Sequence, residues 1–387
     1  MSFVKDLSFS AIFAGFVTVL VGFTSSGILI FQAAQALGAT PAQTSSWLWA
    51  LCMGMGITSI GLSLRYKAPV ATAWSTAGAA MLISVAHSLT MAEAIGAFMI
   101  SGVLISLTGF TGLFERVMAY VPISLASAML VGILLRFGLE LFGAIDTQPV
   151  MVLTMLTVYL LVRRLNPRYA VLAALVAGLV ISQSQGMLHL QGLHSSIATP
   201  VWVWPEFSLH SVIGVAIPLF VVTMASQNMA GAAAMKSFGY HTPISPLIGW
   251  TGVATLVFAP FGAFAINLAA ITAAICMSKE AHENQHKRYI ATVFSGLFYL
   301  IMGIFAATMT AVFAAFPPEL VSAIAGIALL STIGNGLAAA LALEHEREAA
   351  LITFLVTASG LSIWGVGSAF WGLVAGGLVL LMFNSKR

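Results

Sequence analysis

Apolar runs of membrane-spanning length alternate with short polar breaks along the whole chain. They fall near 9–36, 42–64, 69–87, 92–113, 122–142, 149–165, 169–186, 208–236, 245–259, 262–278, 289–313, 319–338, 349–363 and 365–383. A helix needs about 20 predominantly apolar residues to cross a bilayer, so the pattern predicts an all-α polytopic membrane protein with fourteen spans. The first run, from Ala11 to Ala36, is longer than the apolar core of a signal peptide and reads as a retained span. The third and tenth runs are interrupted: Pro69 and Pro260 stand near their starts, and polar residues follow within them.

Basic residues test the count independently. With the amino terminus inside, fourteen of the fifteen Lys and Arg residues fall on the cytoplasmic side, and the fifteenth, Arg136, lies within a span. The outside connections near 37–41, 88–91, 143–148, 187–207, 314–318 and 364 contain none, as the positive-inside rule requires. Both termini are therefore expected in the cytoplasm. The segment 187–207 is expected to be an extracytoplasmic linker between two units of seven spans, 1–186 and 208–387. An odd number of crossings per unit makes the second enter from the opposite side, an inverted repeat of the kind found in secondary transporters.

Span 3 aligns without gaps on span 10, Ala68-Pro69 on Ala259-Pro260 and Thr76 on Asn267; span 1 aligns on span 8, with Ser26 and Gly27 opposite Gln227 and Asn228. Proline disfavours helix before it, and Ser, Thr and Asn are preferred N-caps. Each interrupted span thus reads as a short extended strand of about seven residues followed by a half-helix, the first turn beginning near Thr76 in one and Asn267 in the other. Entering from opposite sides, the two helix starts meet near the midplane and favour an anion or the electron-rich edge of a neutral ligand. The alternative is that the two prolines only kink packed helices.

Composition agrees with a membrane protein: 60% of residues are hydrophobic and 7% charged, against about 25% charged in a soluble domain. The net charge of +3 is spread in ones and twos between apolar runs, which leaves no continuous face for nucleic acid. Cys52 and Cys276 lie in apolar runs and suggest no disulfide framework. Only Arg136 and Glu140 are charged well inside a span; they are either proton-coupling or gating residues or a mutually neutralising i,i+4 pair. Thr90 and Glu93 fit a capping box.

His282-Glu-Asn-Gln-His286 matches the H-E-x-x-H pattern of zinc proteases. It lies in a hydrophilic connection, whereas an intramembrane protease needs it on a helix within the membrane, so a solvated loop is the favoured reading and no metal or cofactor is expected.

The segments "TAWSTAGAAML", "LFVVTMASQNMAG", "SPLIGWTGVATLVFAPFGAFAINLAAITAAIC" and "FLVTASGLSIWGVGSAFWGL" resemble the benzoate/proton symporter (BenE) family, related to the nucleobase and sulfate transporters. The resemblance implies a core domain, spans 1–4 and 8–11, moving against a gate, spans 5–7 and 12–14, in an elevator-like cycle. It implies import of benzoate or a similar aromatic carboxylate with a proton across the bacterial inner membrane, a homodimer being one arrangement; a nucleobase-type proton symporter is the alternative on the same fold. The ligand would lie between Trp74, Ser75, Thr76 and Gly78 on one side and Phe264, Ile266 and Asn267 on the other, flanked by Thr24, Ser25, Gln227 and Asn228. Relatives among the nucleobase carriers place a carboxylate where this chain has Gln227 and Asn228. The proton is then expected either on the substrate carboxyl or on a residue elsewhere.

Overall fold

A computed structural model describes residues 6–86, 89–114, 122–188, 195–279, 281–361, 363 and 368–384. Lys5, Arg116, Lys386 and Arg387, which enter the charge argument, lie outside the described residues. The chain is built mainly of helices, which begin where the sequence supplies a start signal. α1 is Phe9–Ala36, capped by Ser8, and α2 is Pro41–Tyr66, opened by a capping box of Thr40 and Gln43 with proline at its first position.

After α2 come a strand, β1 (Thr72–Trp74), and a ten-residue helix, α3 (Thr76–Val85). Four helices complete the first half: α4 (Met91–Phe110), α5 (Ile123–Gly143), α6 (Pro149–Leu165) and α7 (Ala170–Ser184). The capping box of Thr90 and Glu93 is formed at α4, and Ser208 also donates to the Glu93 carboxylate, at 2.9 Å.

α8 (Leu209–Lys236) contains two π-helical turns, Val212–Ala216 and Thr223–Asn228. α9 (Ile244–Phe258) leads through a tight turn to a second strand, β2 (Ile266–Leu268), and a short helix, α10 (Ile271–Met277). Then follow α11 (Tyr289–Ile304), α12 (Ala306–Ala314), α13 (Pro318–Ala340), α14 (Arg347–Ala358) and α15 (Ser368–Asn384).

Six of these helices are long and apolar enough to cross a membrane alone, or up to eight if each bent pair counts as one. One bend corrects the sequence reading. The segment expected as a single span over 289–313 turns by 68° at Phe305, between α11 and α12. The Ile304 carbonyl accepts from Ala198 N–H at 2.8 Å, so the extended segment 195–207 supplies the partner that a straight helix would have used. The same segment straps other elements together, with Val201 N–H on Ser46 Oγ and Glu206 N–H on the Ala92 carbonyl.

Helices pack in two sets. α2 lies on α11 and α4 on α9, with α1 against α10 and α11; α5 packs on α13 and α14, α14 on α15, and α6 on α7. Glycines permit the closest approaches: a Cβ at Gly56 would strike Leu300 of α11, and one at Gly109 would fall on the Gly249 backbone of α9.

On the polar loop before α11, Arg288 is buried and its guanidinium donates to the carbonyls of Met277 (2.7 Å), His282 (2.8 Å) and Glu283 (3.4 Å). It closes the carboxyl end of α10 with a fork that an ammonium cannot reproduce. Arg288→Lys is expected to cost about 2 kcal/mol, the scale of one or two orphaned buried carbonyls. Thermal unfolding in detergent would show it, and an unchanged midpoint would remove the argument.

Candidate functional site

The two interrupted segments meet. β1 and β2 pair antiparallel in the register Thr72 with Leu268, Ala73 with Asn267 and Trp74 with Ile266. The ladder continues at both ends, Ala269 N–H on the Ala71 carbonyl at 2.9 Å and Ser75 N–H on the Ala265 carbonyl at 3.0 Å.

Extended backbone inside an apolar protein survives only if its polar groups find partners. Here side chains of the flanking helices provide them. Ser63 and Ser59 of α2 accept from Val70 and Thr72 N–H, at 3.1 and 3.0 Å. Thr255 of α9 accepts from Ile266 N–H at 2.9 Å, and Asn228 of α8 accepts from Leu268 N–H at 2.9 Å. The Thr72 hydroxyl lies 2.8 Å from both Thr58 and Ser59 and donates to the Met55 carbonyl at 3.0 Å.

On the first side the expected geometry is present. Ser75 caps α3, its Oγ accepting from Gly78 N–H at 3.0 Å, and the helix begins at Thr76. Ser75 Oγ also accepts from the Thr223 hydroxyl of α8, at 3.2 Å. Thr76 is half-buried at the helix start.

The second side departs from expectation. Asn267 is not at a helix start: it is the middle residue of β2, and α10 begins four residues later at Ile271, with Ala270 as an N-cap that supplies no side-chain bond. The gapless alignment misplaced it because Pro260 does not open an extended stretch. It sits in a 3-10 turn, Ala259–Phe261, closed by Gly262 at φ 103°, which consumes residues before the strand begins. Strand register places Asn267 opposite Ala73, while its match in the repeat alignment, Thr76, lies beyond β1 at the start of α3.

Asn267 is fully buried. Its Nδ2 donates to the Ala265 carbonyl at 3.3 Å, the same oxygen that receives Ser75 N–H, so its amide lies beside the start of α3. Its Oδ1 is buried with no hydrogen-bond partner among the described residues. Because a carbonyl demands a donor, Ala265 fixes the amide orientation and leaves the acceptor edge free. Ala265 itself has φ 26°, a conformation costly for a residue with a Cβ, and such strain gathers at functional sites.

Three other site residues have packing roles. Phe264 is fully buried, its ring 6.0 Å from Trp47 and 5.9 Å from Phe98, so it offers no face to a ligand. Ile266 is also fully buried and fills the space left by Gly54 of α2. Gly78 allows close approach, but of Leu219 in α8: a Cβ there would lie 2.7 Å from Leu219 Cδ1.

Trp74 is buried edge-on to Phe23 at 5.2 Å, with Tyr299 of α11 at 6.3 Å, and its indole donates to Ser26 Oγ at 2.8 Å. Thr24 is half-buried and its hydroxyl returns to the Leu20 carbonyl at 2.8 Å; the Ser25 side chain lies outside what is described. Gln227 is half-buried in the π-turn beside Asn228. Sequence reasoning missed Tyr299, Ser26 and Thr223. Neighbouring Ser25 hinted at Ser26, but nothing in the chain links residues 223 or 299 to the break at 75.

Arg136 and Glu140 pair with each other at 2.7 Å, their side chains 57% and 36% exposed, on the outer side of α5 and not against the paired strands. The histidines of the H-E-x-x-H match do not share an α-helix: His282 precedes the 3-10 turn Gln285–Lys287 that carries His286. Asn284 N–H donates to His282 Nδ1 at 3.0 Å and Asn284 Oδ1 accepts from His286 N–H at 2.9 Å, folding the motif into a turn. Among the described residues no group of three or more His, Cys, Asp or Glu is placed to hold a metal. Two surface cavities of about 370 and 340 Å³ lie around Tyr240 and His241, and no residue of β1 or β2 lines either of them.

Comparison with known proteins gives a consistent answer. The family model described as benzoate membrane transport protein (BenE) matches residues 5–382. Inner membrane protein YdcO of Escherichia coli (strain K12) is 50% identical over 371 residues, covering 96% of this chain and 95% of that protein. The benzoate membrane transport protein of Acinetobacter baylyi is 41% identical over 383 residues, covering 99% and 97%. Among solved structures, the transmembrane domain of the cyanobacterium bicarbonate transporter BicA superposes with a TM-score of 0.60 at 16% identity, over 97% of this chain and 98% of that one. The structure of SLC26A9 gives 0.61 at 14% identity and covers 95% of this chain; the chain spans 65% of SLC26A9. At such identities the likeness is one of fold.

Proposed function

Since the chain belongs to the benzoate membrane transport (BenE) family, and is a membrane transporter rather than an enzyme, we propose that it imports benzoate or a similar aromatic carboxylate together with a proton across the bacterial inner membrane. We assign it fourteen crossings in two inverted units, 1–186 and 208–387, joined outside by 187–207, with both termini inside. Helices or broken segments stand in each of the fourteen predicted intervals, and the antiparallel β1–β2 pair is what two such breaks entering from opposite sides would make. The two packing sets support a core carrying the strands and a gate containing α5–α7 and α13–α15.

The substrate site is assigned to the edge of the paired breaks, between the first turn of α3 and Asn267. The observation that carries the reading is the buried, unpartnered Asn267 Oδ1 beside backbone N–H groups at a helix start. A carboxylic acid is complementary to that arrangement: its carbonyl accepts from the N–H groups and its O–H donates to Oδ1. A carboxylate would set its charge against Oδ1. β1, the first turn of α3, β2 and the π-turn contain no titratable side chain, so the proton travels on the substrate itself.

The energetics favour this route. Bringing in an anion against an inside-negative potential costs about 2.3 kcal/mol per 100 mV, and the neutral acid escapes that cost. Protonating a carboxyl of ordinary pKa at pH 7 costs about 4 kcal/mol, so the supply of acid limits transport. In proteoliposomes, benzoate uptake at limiting substrate is expected to rise by up to about tenfold per unit of external acidification. An imposed voltage should have no effect. Uptake indifferent to the pH gradient, or driven by voltage, would overturn the neutral-acid route. An imide edge also pairs one acceptor with one donor, so uracil belongs in the competition panel; inhibition by uracil and not by benzoate would move the assignment to a nucleobase carrier.

A further inference from the structure

The π-turn Thr223–Asn228 touches both breaks. Thr223 Oγ donates to Ser75 Oγ, the cap of α3, at 3.2 Å, and Asn228 Oδ1 receives Leu268 N–H of β2 at 2.9 Å. Both residues are fully buried. On a regular α-helix, residues five apart are separated by about 140° around the axis, so one of the two would face away. In a π-turn the bond closes from i to i+5, and such residues come nearly one above the other. The Met229 N–H bond to the Met224 carbonyl has that spacing.

Resting on the reading that the paired breaks hold the ligand, we infer that this turn is the positioning element of the site: its extra residue turns Thr223 and Asn228 onto one face, where they fix the start of α3 and the strand of Asn267 relative to each other. Neither side chain needs to touch the ligand to do so. Asn228 Nδ2 is held in turn by Met224 Sδ at 3.2 Å, within the same turn, which fixes the amide so that its acceptor meets β2. α5 packs against the same turn from the other set of helices, so the element that holds the breaks is also one that the gate presses on.

The test uses the full-length protein in proteoliposomes and, in parallel, amide hydrogen exchange. Thr223→Val keeps the shape and removes the donor; it is expected to raise KM for benzoate by roughly five- to tenfold, the scale of one hydrogen bond. Maximal rate and melting temperature should stay near those of the wild type. Thr223→Ser restores the donor and should return KM to within about twofold. Exchange in 72–80 should quicken in Thr223→Val and not in Thr223→Ser. Deleting Ala225, which returns the turn to α-helical spacing, should quicken exchange in both 72–80 and 264–270. If Thr223→Val leaves KM and exchange unchanged, or if Thr223→Ser is as impaired as valine, the inference fails. If the wild type takes up no benzoate, the substrate assignment fails, and the exchange measurements still decide the positioning role.

Discussion

Asn267→Ala is expected to abolish most benzoate uptake while leaving a folded protein. The substitution removes the only buried side-chain polar atom without a partner among the described residues of the strand pair, at a position buried on every side. Leaving the ligand's O–H without an acceptor in a buried site costs about 1–3 kcal/mol, so uptake at limiting substrate should fall by roughly five- to a hundred-and-fiftyfold. The strand ladder uses the backbone of Asn267, which alanine retains, so thermal unfolding should change by about 1 kcal/mol or less. Asn267→Asp separates the ligand's needs from the fold's. At neutral pH a carboxylate would oppose both the Ala265 carbonyl and the substrate oxygens, so uptake should be lost there and return in part on acidification. Full activity of Asn267→Ala would remove this residue, and the neutral-acid pairing, from the site.

The second large effect concerns Gly262. Its φ of 103° lies where glycine alone is at ease, and a Cβ there would fall on the indole of Trp47. Trp47 cannot retreat, because it is buried between Phe98 and Phe264. Gly262→Ala thus combines backbone strain with overpacking, and should cost at least about 3 kcal/mol. Because the turn at Gly262 delivers β2 to its register, loss of uptake should accompany the lower melting temperature in detergent. Trp47→Leu in the same chain should recover part of the stability by removing the steric component. A Gly262→Ala protein that melts like the wild type would show that the turn relaxes freely.

How much of this was legible in the sequence differs between the two breaks. The start of α3 could be read because local chemistry determines it: Pro69 forbids helix, Ser75 caps the next one, and nothing intervenes. The second break could not, because a tight turn after Pro260 uses up residues and a gapless alignment has no means of seeing it. The helix start at Thr90 followed from its capping box, a rule that acts over three or four residues. The roles of Phe264 and Gly78 are tertiary facts. An aromatic ring beside a polar cluster looks the same whether it faces a ligand or two other rings, and only packing against Trp47 and Phe98 decides. The Arg136–Glu140 spacing announced a pair; the exposed side it occupies depends on how α5 packs.

The β1–β2 ladder also constrains how the protein can be made. Its two strands lie about 190 residues apart in the chain, so at 5–20 residues per second β1 waits roughly 10–40 s for its partner during synthesis. Until β2 arrives, the edge of β1 that carries Ala71, Ala73 and Ser75 has no strand to pair with, because the α2 hydroxyls of Ser59 and Ser63 serve only the opposite edge. A newly inserted first half is therefore an incomplete object in lipid, obliged to remain beside the insertion machinery or another protein surface until residue 268 has been added.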